Sequence, residues 1–146
     1  KTLLAFFRNS RLQFAREVPL AGDSFTHAIM ESLQLDAVEA ERLKCDPGSR
    51  RDEVREALRS AWEEWLGECR RSFDFYENQY GHPVEHLALS GGSARFQGLK
   101  EWVQEVTNLP TQNWNPLPKP ADSKPSGEEE LALGVAFGLA IRGVTG

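Results

Sequence analysis

A short apolar segment followed by two glycines is the part of this sequence best suited to binding a ligand. Leu87-Ala88-Leu89 is typical of a strand, and Gly91-Gly92-Ser93 follows it after a single residue, Ser90. Adjacent glycines let the backbone turn sharply and let a ligand approach the main chain with no Cβ in the way. The N–H groups at the start of a following helix attract anions. The segment therefore predicts a nucleotide site, and the alternative is a tight strand-to-helix connection that binds nothing.

A second candidate lies earlier in the chain, where Glu41 and Lys44 are separated by three positions among strong helix formers. Side chains three residues apart share one face of a helix, so both could reach a single ligand. The alternative is an ordinary ion pair on a helix surface, worth only about a few tenths of a kcal/mol.

The other reactive side chains predict no further chemistry. His27, His82 and His86 lack the spacing of metal ligands, and Cys45 and Cys69 have no His–Asp pattern that would activate a thiol. Two isolated cysteines predict neither a disulfide framework nor a metal site, and they favour a reducing compartment. Seryl nucleophile motifs and Walker-type phosphate loops are absent from the sequence.

Composition excludes several classes of function. The 146 residues are 40% hydrophobic and 27% charged, which is ordinary for a globular protein, and the formal net charge is −5. Because phosphate backbones are bound by clustered Lys and Arg, no nucleic acid partner is expected. No apolar run reaches the length of a membrane span, so no direct insertion is expected. The chain begins inside an expected strand, which predicts an excised piece of a larger protein.

Local patterns predict strands that alternate with helices after an initial hairpin, which indicates a mixed sheet with helices on its faces. Asp23 or Ser24 is expected to cap the first helix, and Asp36 the second. The expected elements are a hairpin over 3–18, a helix to about Leu35, a short helix after Asp36, a long helix over 51–78, a strand over 84–89, a helix over 96–106, a strand over 109–114, a proline-rich loop over 115–127 and a closing helix from Glu128.

The long helix carries an apolar stripe that includes Trp62 and extends to Tyr76. Its helical period predicts a packed face. The sequence leaves open whether this stripe is core or a surface for self-association.

Four segments in chain order resemble the actin-like ATPase superfamily, which includes actin, the Hsp70 ATPase domain and FtsA, and within it the type IV pilus assembly protein PilM family. The resemblance covers nearly the whole chain. The segments are a strand and glycine-initiated helix (Phe14–Thr26), a Glu-x-x-Lys element (Ala40–Lys44), an adenosine motif (Leu89–Leu99) and a closing helix (Ala136–Gly143).

The resemblance implies an α/β fold, namely a ribonuclease H-like, actin-like ATPase subdomain with a mixed sheet flanked by helices and a helical insert. Residues 1–35 and 83–146 would form the large subdomain IIA, truncated at its N-terminus, and residues 36–82 the inserted subdomain IIB. The phosphate loops that grip Mg-ATP would lie before Lys1. The chain alone is therefore expected to be inactive and to bind ATP weakly, and whether its parent hydrolyses ATP stays open.

The resemblance also implies which side chains contact ATP. The glycines and the serine would lie against the ribose and base, the arginine would stack on adenine, and the Glu–Lys pair would reach the ribose or the base edge. These residues are Gly91, Gly92, Ser93, Arg95, Glu41 and Lys44.

The implied role is that of the nucleotide-binding C-terminal half of a cytoplasmic scaffold, held at the bacterial inner membrane through its partners. The intact parent would dock a short cytoplasmic segment of a PilN-like inner-membrane protein during the assembly of a type IV pilus or a related secretion or competence machine. Two alternatives stay open. One is half of an Hsp70-like or sugar-kinase-like phosphotransfer enzyme, and the other is an interaction module without nucleotide.

Overall fold

The computed structural model of the chain describes residues 1–114, and the predicted loop over 115–127 and the closing helix lie outside them. The chain divides into two compact units, Lys1–Val84 and Glu85–Gly146, which are treated separately below. The domain limits implied by the resemblance stay a prediction. The elements are β1 (Thr2–Arg8), β2 (Arg11–Val18), α1 (Gly22–Leu33), α2 (Ala37–Cys45), a 3₁₀ turn (Gly48–Arg50), α3 (Arg51–Tyr80), β3 (Leu87–Leu89), a 3₁₀ turn (Gly92–Arg95), α4 (Leu99–Thr107) and β4 (Thr111–Asn113).

The predicted hairpin is confirmed. β1 and β2 pair antiparallel, and the register shifts between Phe6 and Phe7. Asn9 and Ser10 form the connection with φ of 49° and 60°. Two central residues with positive φ are what the favoured two-residue hairpin turn requires, because its twist matches that of the strands.

The capping of the first two helices differs from the prediction in one case. α1 begins at Gly22 after Ala21, so neither Asp23 nor Ser24 caps it, and Ala21 has no side-chain acceptor to offer. α1 has no side-chain cap, and the burial of Phe25 and Ile29 in the unit stabilises it instead. α2 follows the prediction, because the backbone N–H of Glu39 donates to Asp36 Oδ1 at 2.8 Å.

α3 is the central element of the first unit, and its stripe is core. Trp62 and Leu66 are 1% and 3% exposed. The hairpin packs on the C-terminal half of α3, where the ring of Phe6 stacks on Tyr76 with centroids 4.8 Å apart. α3 also packs against α1. The buried apolar residues of α3 are Val54, Leu58, Trp62, Trp65, Leu66, Cys69 and Tyr76.

Polar contacts fix the position of the hairpin on α3. Arg16 donates to Ser72 Oγ at 3.1 Å and to a carboxylate oxygen of Glu68 at 2.9 Å. The indole N–H of Trp65 donates to Thr2 Oγ1 at 3.2 Å. Each bond joins residues more than fifty positions apart, so these bonds form only when the unit has folded.

The second unit contains a short parallel strand pair, β3 with β4, in the register Leu87↔Thr111 to Leu89↔Asn113. Both strands are shorter than predicted, because only three residues of each find a partner. α4 begins at Leu99, later than the predicted start at 96, because Gly98 adopts φ of 96°, which is not a helical conformation. Residues 1–114 thus form an α/β fold in which the strands make one antiparallel and one parallel pair.

Candidate functional site

The first candidate group lies on α2, and burial determines which way it points. Asp36 caps the helix, and Ala40 and Leu43 are buried on its inner face. This orientation also takes Lys44 inward, so its side chain is only 11% exposed, whereas that of Glu41 is 53% exposed. The two groups that the sequence predicted to act together are joined, with Lys44 Nζ 2.6 Å from Glu41 Oε2.

Two groups from α1 complete this cluster, which we call the Lys44 cluster: Gly22, Thr26, Glu41 and Lys44. Lys44 Nζ also donates to Thr26 Oγ1 at 2.8 Å and to the Gly22 carbonyl at 3.1 Å. The Thr26 hydroxyl lies 2.6 Å from Glu41 Oε2 and 3.0 Å from the Gly22 carbonyl. A hydroxyl donates only one proton, and the shorter of these distances directs it to the carboxylate.

The Lys44 cluster lowers the pKa of Glu41. Burial by itself raises the pKa of this carboxyl. Hydrogen bonds from Lys44 and Thr26, together with the positive charge of Lys44, outweigh that effect, and the pKa lies below its ordinary value. Glu41 is thus held as a carboxylate, which accepts hydrogen bonds and donates none.

The second candidate group is the glycine turn after β3. Gly91 adopts φ of 97° and ψ of 175°, a conformation that side chains rarely allow. Among residues 1–114, no atom lies within 4 Å of a Cβ built on Gly91 or Gly92. No side chain of the described residues therefore fills the space beside this backbone. Of the two glycines, only Gly91 adopts a positive φ.

The turn does not lead straight into the predicted helix. A single 3₁₀ turn, Gly92–Arg95, lies between Gly91 and α4, and the N–H of Ala94 donates within it to the Gly91 carbonyl at 3.1 Å. Fewer backbone N–H groups thus face outward than a full helix start would present. Arg95 is half-buried and has no ion-pair partner within residues 1–114.

The two candidate groups belong to different units, and each is defined by its own geometry. The structure adds to the Glu–Lys pair two groups that sequence reasoning missed, the Thr26 hydroxyl and the Gly22 carbonyl. Lys44 and Thr26 are 18 positions apart. No local spacing rule connects residues at that separation, so the sequence carried no signal for this contact.

The remaining features of the described residues carry no chemistry of their own. A groove of about 650 Å³ lies between α1 and α3, lined in part by Ser24, Ala28, Ala57 and Ala61, and none of the predicted site residues lines it. Within residues 1–114, no group of His, Cys, Asp or Glu side chains is arranged to hold a metal ion. In that same part of the chain, no helix combines the length and apolar character needed to cross a bilayer.

Comparison with known proteins identifies the family. The sequence model of the family described as type IV pilus assembly protein PilM matches residues 1–144. A solved structure of a PilM–PilN type IV pilus biogenesis complex contains a chain that is 30% identical to this one, with a TM-score of 0.82 over 97% of this chain. The chain spans 42% of the length of that relative. A match of this extent, both in sequence and in fold, shows that the chain belongs to the PilM family of type IV pilus assembly proteins.

Proposed function

We propose that this chain serves type IV pilus assembly as the nucleotide-binding C-terminal half of a PilM-like scaffold. The observation that carries the proposal is the likeness to a chain of the PilM–PilN complex, at 30% identity and a TM-score of 0.82. An actin-like ATPase subdomain fold and a position on the cytoplasmic side of the bacterial inner membrane are parts of the same proposal.

The proposed partner is a PilN-like inner-membrane protein, bound by the intact protein through a short cytoplasmic segment. Disruption of the gene that encodes the chain is expected to abolish surface pili in electron micrographs, and re-expression is expected to restore them. A tagged PilN-like protein from the same genome is expected to co-purify with the intact protein. Normal piliation together with no co-purification would contradict the assignment.

The proposed ligand is ATP, with Mg²⁺ held outside this chain. The open backbone at Gly91 and Gly92 supports contact with the ribose and base, together with Ser93. The guanidinium of Arg95 suits the face of an adenine ring, since a cationic plane is attracted to an aromatic one. Glu41 and Lys44 are the proposed contacts at the ribose or base edge. With only part of the cleft present, the chain alone is proposed to be catalytically inactive and to bind weakly.

Replacing Gly92 by Ala tests the glycine contacts. The new Cβ meets no atom of residues 1–114 within 4 Å and Gly92 does not need positive φ, so folding should be unaffected. The same Cβ would stand where the ligand approaches, so NMR shifts caused by millimolar ATP should weaken or vanish. Gly67→Ala on α3, where a Cβ also meets no atom of the described residues within 4 Å, is the matched control and should titrate like the parent chain.

Equal ATP titrations of Gly92→Ala, Gly67→Ala and the parent chain would contradict a ligand at the glycine turn. Isothermal titration calorimetry of the chain with ATP and Mg²⁺ is expected to show no micromolar binding. Tight, Mg-dependent binding would contradict the proposal that the chain holds only part of the site.

A further inference from the structure

We propose that the turn end of the β1–β2 hairpin is a contact surface for an anionic lipid bilayer. This surface, called the hairpin tip below, consists of Phe7, Arg8, Arg11 and Leu12. Its two apolar side chains enter the interfacial layer of the bilayer, and its two guanidinium groups bind lipid phosphates. The inference deepens the place at the inner membrane proposed above and rests on it for the lipids that the chain meets. It adds a peripheral contact to attachment through a partner protein.

A β-bulge places Leu12 beside Phe7 at the tip. Phe6 and Phe14 are opposite each other in the register and share the face that packs on α3. Side chains alternate along a strand, so Phe7 lies on the other face. An unbroken register would set the polar Gln13 opposite Phe7, but the register shifts here and Phe7 pairs with Leu12 instead. The bulge therefore joins two apolar side chains on the face that turns away from α3.

The apolar side chains of this outer face are exposed. Phe7 and Leu12 are 66% and 56% exposed, and Leu3, on the same face of β1, is 63% exposed. Phe6, the neighbour of Phe7 in the sequence, is only 8% exposed. Single exposed apolar side chains are common on protein surfaces, whereas adjacent ones indicate a contact surface. Within residues 1–114, the hairpin thus has apolar side chains on both faces and packs one of these faces on α3.

Contacts with α3 hold the bulge in place. The Tyr80 hydroxyl donates to the Gln13 carbonyl at 3.0 Å, so it engages the bulged residue itself. The ring of Tyr80 stacks on that of Tyr76 with centroids 5.0 Å apart, and the ring centroids of Phe14 and Phe75 are also 5.0 Å apart. The hairpin tip is therefore ordered before it meets a partner, which lowers the entropic cost of binding.

The two arginines of the tip repel each other. Arg8 and Arg11 are directly opposite in the register, and like charges in that position destabilise a hairpin. Neither takes part in an ion pair within residues 1–114. The other cations of the hairpin, Lys1 and Arg16, each lie 2.9 Å from a carboxylate oxygen. An anionic surface that contacts both tip arginines would remove the repulsion, and this charge complementarity indicates the kind of partner.

Charge and apolar exposure together favour a bilayer over a soluble anion. Residues 1–18 contain four Lys or Arg and one acidic residue, whereas the formal net charge of the whole chain is −5. An anionic surface therefore attracts the hairpin and repels much of the remaining chain, which orients the tip toward that surface. A free phosphate would contact the arginines but leave Phe7 and Leu12 in water. Anionic lipids supply phosphates and an apolar layer at one surface.

Sedimentation of the full chain with vesicles at millimolar lipid tests the proposal. The chain should bind vesicles that contain phosphatidylglycerol, and binding should fall as salt is raised, because salt screens the attraction of the arginines. Replacing both arginines, Arg8→Gln with Arg11→Gln, should weaken binding about 30-fold, since each cation near an anionic membrane contributes about 1 kcal/mol, or about fivefold. The matched control is Arg42→Gln with Arg55→Gln, which replaces two exposed arginines of α2 and α3. It changes the net charge equally and should bind like the parent chain.

Phe7→Ser tests the apolar part of the contact. It should weaken vesicle binding about tenfold, because the side chain no longer gains transfer free energy in the interfacial layer. Its midpoint of urea denaturation should stay close to that of the parent chain. Val38→Ser on α2 is the control, since Val38 is 79% exposed and lies outside the tip, and its vesicle binding should be unchanged. A large fall in the denaturation midpoint of Phe7→Ser would show that Phe7 packs against protein and would overturn the proposal.

Further results would assign the tip to a different partner or to none. Equal vesicle binding by the parent chain, Phe7→Ser and the double variant of Arg8 and Arg11 would contradict the lipid contact, as would equally tight binding to neutral phosphatidylcholine vesicles. A mass in light scattering without lipid that falls in Phe7→Ser would assign the tip to a contact between copies. Loss of a co-purifying protein in the double variant, with vesicle binding unchanged, would assign it to an acidic protein surface.

The outcomes also separate this inference from the proposed function. If disruption of the gene abolishes pili but the tip variants bind vesicles like the parent chain, the lipid contact is wrong and the pilus role stands. If the tip variants lose vesicle binding but disruption of the gene leaves piliation normal, the lipid contact stands and the pilus role is wrong.

Discussion

Replacing Leu66 by Ala tests whether the stripe of α3 is the core of the first unit. Leu66 is 3% exposed and lies in the middle of the stripe. The substitution removes roughly three methylene-sized groups, which at about 0.8 kcal/mol each contribute about 2.4 kcal/mol. The cavity left by incomplete collapse adds to this loss, so the expected decrease in the free energy of unfolding is about 3–4 kcal/mol. Domains are stable by only about 5–15 kcal/mol, so the change should be unmistakable.

Urea denaturation followed by far-ultraviolet circular dichroism measures this loss, since α3 is the longest helix of the described residues. Val38→Ala on α2 is the control, because Val38 is 79% exposed, and it should change stability by less than about 0.5 kcal/mol. If Leu66→Ala costs less than about 1 kcal/mol and also changes the mass measured by light scattering, the stripe is an interface between copies and the core assignment is refuted.

Three further predictions concern a thiol, a pH dependence and a helix cap. Burial raises the pKa of Cys69 to about 12, whereas Cys45 is exposed. A thiol reagent should therefore react rapidly with Cys45 in the folded chain and with Cys69 only in denaturant. Two thiols that react equally fast would contradict the packing of α3. Burial raises the pKa of Glu41, but Lys44 and Thr26 lower it by more, so the folded-state pKa lies below the ordinary value. The stability from this pair is therefore present above the ordinary Glu pKa of about 4.3 and is lost as pH falls through the folded-state pKa. Denaturation at several acidic pH values should show a smaller pH dependence in Lys44→Met, and an unchanged slope would exclude the pair as its source. Asp36→Ala should lower the free energy of unfolding by about 1 kcal/mol by removing the cap of α2, whereas Asp36→Asn should retain most of it, and equal losses would point to a cause other than the cap.

Elements with strong local signals were predicted correctly. The hairpin predicted over 3–18 forms around Asn9 and Ser10, and α3 ends at Tyr80, close to the predicted limit of 78, where Gly81 adopts φ of 71°. The helical period of the apolar residues was enough to predict α3 and its packed face. In each case the deciding interactions lie within a few residues of one another, and a sequence pattern records them directly.

Elements whose limits depend on distant partners were predicted less well. β3 covers only Leu87–Leu89, because a parallel strand ends where its partner ends, and that partner is more than twenty positions away. The start of α1 was misplaced for a related reason. A polar residue near a helix start predicts a cap, but the burial of Phe25 and Ile29 determines where the helix lies.

The glycine turn and the Glu–Lys pair show the same division. The sequence by itself determined that Gly91 and Gly92 leave a backbone free of side chains, and that Glu41 and Lys44 share one helix face, because both facts follow from residue type and spacing. Only the tertiary structure decided that Lys44 is buried and donates three hydrogen bonds while the Glu41 side chain stays 53% exposed. The physical reason is that α1 supplies Thr26 and the Gly22 carbonyl, and the packing of one helix against another brings these groups to a lysine that is distant from them in the chain.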